Sequence, residues 1–488
     1  MAGCLTCPCG DPPVTTVPHC RTLVLAVTAA CLIGGGCGST TRSQAASGPS
    51  PAIAGQVPRA TGDVPFERAW ELTLPSRVER SWIGEQVPEL VFFQVEGDHS
   101  IHCIDARSGQ TRWITEALPK AILGEAFVQR LVQPGEREKE VRIEERLFIV
   151  VDDTVYCYDV ATGQRVWHYL LPFAPATGPL ASGATEGNLR VFIGDWNDRL
   201  QVITLHQTTD EKQVRFPYVV WQMNLPGTIL STGIETEDLN YFGDTAGHLR
   251  CFKLDRTQVW DLQTGGSIEG GATVRGRALY AGNDGNAVHA INRLTGERLG
   301  QFNLQGPVRS RPFWFSGEPD RLYVWIDSPD MSIGGLAALR VQPDNVAYTD
   351  GNKHALEVVR MGQDWLVPGA RRLVGSTPLH LLLADDAAQV VWAVQRGSGK
   401  VEWTWNVSKN WPKAGASVVH LVPYHDRTDT LRSLIAADDQ GNVTAFRVFG
   451  FVPTPAQLAT GITSRSLANQ AAPAPAAAKP KDAAPKAE

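Results

Sequence analysis

The chain has 488 residues, 43% of them hydrophobic, which is enough apolar bulk for a sizeable core and excludes a chain disordered throughout. Its 45 Lys and Arg against 51 Asp and Glu leave a formal charge of -6, so no basic field favours nucleic acid. Fourteen Trp, 46 Gly and only four Met suggest short strands and many tight turns rather than helices.

In chain order, Arg21 precedes an apolar run from Thr22 to Ile33, too short to span a bilayer, followed by Gly34-Gly35-Gly36-Cys37. This reads as an export signal over residues 1–37. The small residues before Cys37 and the polar stretch after it resemble a bacterial lipoprotein signal. That resemblance implies acylation of the Cys37 thiol and a membrane anchor. Gly34 stands where that pattern prefers Leu, and Cys31, after Ala29-Ala30, is a competing site. Residues 1–20 carry Cys4, Cys7, Cys9 and Cys20 with no Lys or Arg and read as an overlong gene start. Residues 38–62 form a Ser/Pro/Ala linker, and residues 454–488 an Ala/Pro/Lys tail too poor in apolar bulk to fold.

Between these flanks, residues 63–453 repeat. Ile104-Asp105-Ala106-Arg107-Ser108-Gly109-Gln110-Thr111-Arg112-Trp113 recurs without a gap from Tyr158 to Trp167, with Asp159, Gly163 and Trp167 in the matching places. Weaker copies carry Gly296, ending near Phe302, and Gly399 with Trp403, and a contracted one runs from Leu254 to Trp260. An alternating strand ends at Asp or Asn, whose side chain accepts turn amides. Gly then takes the positive φ, and Trp opens the return strand as a flat ring suited to packing on a neighbouring unit. Upstream Asp/Gly clusters, such as Gly243 to Gly247 and Asp438 to Asn442, read as further hairpin turns rather than calcium loops.

Return strands are expected near Trp70, Trp113, Trp167, Trp221, Trp260, Phe302, Leu356 and Trp403, over about 390 residues or roughly 49 per unit. The strand around Trp70 has no unit before it, and the last unit, ending at Val448, has no Trp-bearing strand after it. The expectation is therefore an all-β, eight-bladed β-propeller of four-stranded antiparallel blades, closed by the N-terminal strand. The third unit carries an insertion from Leu205 to Tyr218, and the sixth, from Asp327 to Met361, lacks the turn motif.

These copies resemble the PQQ-type propeller repeat, and with the lipoprotein-like signal the chain most resembles the BamB-like lipoproteins. The resemblance implies a non-enzymatic scaffold of outer-membrane β-barrel assembly, lipid-anchored, facing the periplasm and more at the outer than the inner membrane. It implies partners among other envelope proteins, a monomer within a complex, no nucleic acid and no cofactor. Two alternatives stay open. A quinone- and calcium-dependent dehydrogenase would need ligands and adjacent cysteines that the repeats do not offer. A polysaccharide binder would use exposed aromatics such as Trp196 and Trp411.

No catalytic or metal-binding residue is assigned. Cys103, Cys157 and Cys251 sit at matching places in alternating segments and read as small buried hydrophobes. His99 and His102 make a poor metal pair on opposite faces of a strand, and His248 and His289 read as surface histidines. Candidate partner contacts are the charged connection from Gln133 to Glu145, with Glu136 to Glu140, and the insertion from Thr208 to Arg215.

Overall fold

The computed structural model describes residues 66–448, apart from 85, 135–140, 186, 208–214, 237–238, 316–317, 319, 331, 347–355, 386–388, 412–415 and 427–430. The expected signal with Cys37, the expected linker and tail, the charged run from Glu136 to Glu140 and residues 208–214 of the expected insertion lie outside the described residues.

Eight antiparallel sheets succeed one another along the described chain. Blade 1 runs from Val78–Gly84 at the axis to Thr111–Ile114 at the rim, blade 2 from Ile122–Pro134 to Arg165–Leu170, and blade 3 from Leu180–Ser182 to Arg215–Asn224. Blade 4 spans Ile234–Thr236 to Gln258–Gln263, blade 5 Ala272–Arg275 to Arg298–Asn303, and blade 7 Arg372–Ser376 to Val401–Asn406. Blade 6 has three named strands, Arg321–Ile326, Gly335–Val346 and Leu356–Pro368, and its innermost place is reduced to a bridge between Phe313 and Tyr323.

Blade 8 takes its inner three strands from Val418–His425, Leu431–Asp438 and Asn442–Val448, and its rim strand from Phe66–Thr73. The register runs from Phe66 opposite Val448 to Thr73 opposite Asn442, so the first described strand closes the ring. Closure of this kind leaves no open junction for another chain to add to.

The core sits between blades. Phe92, Ile101 and Trp113 of blade 1 pack with Leu147, Ile149 and Tyr158 of blade 2. The same arrangement recurs around the ring, and Val422, Ile435 and Ala445 of blade 8 meet Val91, Phe93 and Ile104 of blade 1. Because each sheet is covered on both faces, its middle strands are mostly apolar on both sides, as in Val91 to Val95 around the buried Gln94.

One irregularity recurs in every blade. The rim strand carries an extra residue beside the point where Cys103 faces Trp113, Cys157 faces Trp167, Val202 faces Trp221 and Cys251 faces Trp260. The same slip falls where Ala338 faces Trp365, Ala393 faces Trp403 and Ala445 faces Trp70. A bulge re-aims the residue beside it, and a small residue opposite leaves room for the indole. The three cysteines are therefore small because a tryptophan lies against them.

Blade 5 departs. At the tryptophan register stands Gly300, opposite Ala290, and Phe302 lies two residues further on, so Phe302 is in the expected strand but not at the anchoring position. A Cβ on Gly300 would lie 2.1 Å from the carbonyl oxygen of Val359 in blade 6. The neighbouring strand thus closes directly on blade 5 where an indole is missing. Gly300→Val is expected to force these sheets apart and cost about 1–3 kcal/mol, measured by urea unfolding; a cost below a few tenths would refute this close approach. In blade 6 the anchor is Trp365, nine residues beyond the expected Leu356 in the same strand.

Candidate functional site

The repeat residues come together across blade boundaries. Asp105 Oδ1 accepts the amides of Arg107 and Ser108 at 3.1 and 3.0 Å, and Gly109 follows at φ +74°. Asp159 accepts the Thr162 amide at 2.9 Å, and Gly163 has φ +72°. In blade 7 Gln395 stands at the Asp place, and the Ser398 hydroxyl donates to its side chain.

Onto each such turn the preceding blade lays a tryptophan. The Trp113 indole N–H donates to the Val160 carbonyl at 2.7 Å, and its ring fills the space a Gly163 side chain would need. Trp70 does the same to Ala106 and Gly109, Trp260 to Arg293 and Gly296, and Trp365 to Arg396 and Gly399. Trp221 reaches Leu254 of the contracted turn at 3.2 Å.

Trp167 and Trp403 have no such turn to meet. The last two strands of blade 3 are a long hairpin pairing as far as Gln207 and Arg215, and those of blade 8 come from opposite ends of the chain. Trp167 packs against Phe148, and Trp403 against Phe66.

The cysteines are chemically quiet. All three are buried, and burial pushes the Cys103 and Cys251 thiols up to about 12 and the Cys157 thiol upward as well. Two surface expectations are corrected. Trp411 is buried, its indole N–H donating to Asp438 at 2.9 Å, whereas Trp196 is 59% exposed on a turn of blade 3. His289 is fully buried beside Asn283 because it lies on a middle strand covered on both faces, while His248 is partly exposed and pairs with Asp261 at 2.6 Å. His99 pairs with Glu79 at 2.7 Å, and His102 is buried against Ser100.

Burial lowers the pKa of His102, His289 and His380, with His289 at about 4, helped by Arg298. His289 therefore stays neutral in the fold down to about pH 4, while its unfolded counterpart takes a proton near pH 6.5. Stability from this source is therefore whole above pH 6.5 and is lost as the pH falls toward 4. His289 alone is expected to remove about 3 kcal/mol across that window. Urea unfolding at pH 7 and pH 4.5 should show this loss, and His289→Gln should flatten it. An unchanged slope would exclude His289 as its source.

On either side of residues 135–140, the described parts of the Gln133 to Glu145 connection pair as antiparallel strands, with Gln133 opposite Arg142 and Pro134 opposite Val141. Val132 and Ile143 face each other across it, 41% and 62% exposed. Blade 6 extends a comparable hairpin to Val346 opposite Leu356.

At the axis lies a cavity of about 620 Å³ that no repeat motif announces. Its walls come from the inner strands of blades 1 and 2, with Trp82 and Phe127, and from Thr232, Arg311, Phe313 and His420 of blades further round the ring. Arg311, just before the reduced inner place of blade 6, donates to the Thr232 carbonyl at 2.5 Å and lies 3.9 Å from Glu125 of blade 2. His420 of blade 8 faces Ser81 Oγ at 3.2 Å and the Val78 carbonyl at 3.1 Å. Among the described residues no group of three or more His, Cys, Asp or Glu is placed to hold a metal ion.

Residues 61–211 match the sequence model of the family described as outer membrane protein assembly factor BamB. Among solved structures, the chain is similar to BamB from Moraxella catarrhalis at 13% identity and TM-score 0.49, over 78% of this chain and 99% of that one. It is also similar to the computationally designed Ika8 protein, at 11% identity and TM-score 0.48 over 78% and 100% of the two chains. The WD40 domain of SCAP from fission yeast gives 12% identity and TM-score 0.49 over 79% and 99%. No curated protein matches the sequence. The described chain is an eight-bladed propeller, and its residues 61–211 resemble the PQQ-like repeats of the BamB-like proteins.

Proposed function

We propose, from the match of residues 61–211 to the assembly-factor family, that this propeller is a non-enzymatic envelope scaffold that holds other proteins during outer-membrane protein assembly. Acylation at Cys37 anchors it, and the linker over residues 38–62 lets the ring face the periplasm. The blade geometry supports a scaffold role: Asp105, Gly109, Trp113 and their counterparts are spent on turns and blade junctions, leaving the projecting hairpins to meet partners. The exposed Val132–Ile143 pair of blade 2 is the contact we assign, an apolar spot on a projecting hairpin.

Affinity capture with the full chain from bacterial outer membranes tests this reading. Barrel-assembly components are expected in the eluate and should fall at least tenfold with Val132→Asp and Ile143→Asp together. Radiolabelled palmitate should enter the protein and be lost with Cys37→Ala. Dye-linked alcohol oxidation appearing on addition of pyrroloquinoline quinone and calcium would overturn the non-enzymatic assignment.

A further inference from the structure

We infer that the axial cavity is a binding site for a small amphiphilic anion, a molecule with an apolar body and a carboxylate or sulfonate head. This does not rest on the scaffold reading. The cavity, about 620 Å³, lies in the size range of small-molecule sites and is lined by both apolar and polar groups. Trp82, Phe127 and Phe313 supply aromatic wall, and Trp82 is held in place by stacking on Phe92 at 5.4 Å.

The polar groups set the sign of the ligand. Among the described lining residues, three buried polar atoms have no hydrogen-bond partner within the protein: Trp82 Nε1, Thr232 Oγ1 and Arg311 Nε. Two are N–H groups that can only donate, and the third is a hydroxyl that donates as readily as it accepts. Thr232 is only 7% exposed, so its hydroxyl has little water to turn to. Buried donors without acceptors are costly; each of the three has less than 1 Å² of exposed surface, so a ligand rich in acceptor oxygens removes that cost by drawing them round to the cavity wall.

The nearby acids do not fill this role. Glu79 is engaged by His99 at 2.7 Å. Glu125 is 72% exposed and stands 3.9 Å from Arg311, a loose pairing that a closer ligand oxygen would displace. Arg311 is already oriented by its bond to the Thr232 carbonyl, so little side-chain freedom is lost when an anion docks. Arg80 donates to the Gly124 carbonyl at 2.9 Å and adds a second positive charge at the cavity wall.

The test uses a charged and a neutral probe of similar shape. Fluorescence titration of the purified full chain with 1-anilinonaphthalene-8-sulfonate is expected to show one saturable site. N-phenyl-1-naphthylamine, which lacks the sulfonate, should bind at least tenfold more weakly. Arg311→Met should weaken the sulfonate at least tenfold and Thr232→Val about threefold, while Glu125→Gln should leave it unchanged or tighten it. Sodium octanoate should compete. Absence of a saturable site, equal affinity for the two probes, or indifference to Arg311→Met would overturn the inference. If Arg311→Met fails to fold, unchanged binding in Thr232→Val overturns it equally, because that substitution keeps the wall's shape and removes only the hydroxyl.

Discussion

Trp113→Ala is expected to lower stability by about 3–5 kcal/mol, read as a shift in the urea midpoint with an unchanged slope. The side chain is 8% exposed, belongs to the layer between blades 1 and 2, and gives its N–H to Val160 at 2.7 Å. Truncation opens a cavity and leaves the Val160 carbonyl without its donor, so the transfer and hydrogen-bond losses add. Gly163→Val attacks the same junction from the other side. Its backbone has φ +72°, and a Cβ there would lie 2.5 Å from the indole, so both backbone strain and overlap count. The two changes are not additive: once the indole is gone, only the strain of Gly163→Val remains, about 1–2 kcal/mol. Trp167→Ala is the internal control, since that indole meets no glycine turn and its loss should cost less. Equal costs at Trp113 and Trp167 would show that the turn contributes nothing beyond ordinary burial.

These junctions explain which parts of the fold are legible in the sequence. The Asp, Gly and Trp spacing is visible because a turn at fixed φ and a docked indole both require particular residue types, and the pair recurs at four junctions, Gly109 with Trp70, Gly163 with Trp113, Gly296 with Trp260 and Gly399 with Trp365. Where a junction is built otherwise, the signal vanishes. Gly300 is silent as an anchor because the Val359 carbonyl replaces the indole it would have carried. Trp365 is hard to place because its blade lacks the turn, and the hairpin ending at Val346 and Leu356 shifts the spacing. Three cysteines were readable as buried, but the reason, a tryptophan directly opposite, appears only in the strand register. His289 misleads because a middle strand covered on both faces buries its polar residues as well. The axial cavity was invisible for another reason. Trp82, Thr232 and Arg311 are far apart in sequence and belong to no repeat motif, and only ring closure brings them to one space.

That closure makes the second large prediction. A chain beginning at Leu74, without the Phe66–Thr73 strand, is expected to lose the folded monomer: its melting transition should drop by more than about 10 °C and oligomers should appear. The strand does three jobs at once. It pairs with Asn442–Val448, whose Val443, Ala445 and Phe446 are buried. It places Trp70 on Ala106 and Gly109 of blade 1. It also seats Phe66 against Trp405 of blade 7 at 4.3 Å between ring centres. Removal therefore opens a sheet edge and strips two junctions together, and an open edge is a template for pairing with another molecule. Adding back a peptide covering residues 64–75 should restore the monomer, and the same peptide with Trp70→Ala should do so poorly. A circular permutant separates the strand's presence from its position in the chain. Phe66 lies opposite Val448, so a short hairpin turn joins them without strain, and a chain starting at Leu74 and ending with this strand should fold as stably as the natural order. A truncated chain that stays monomeric with an unchanged melting transition would mean that the ring is held by its blade-to-blade layers alone.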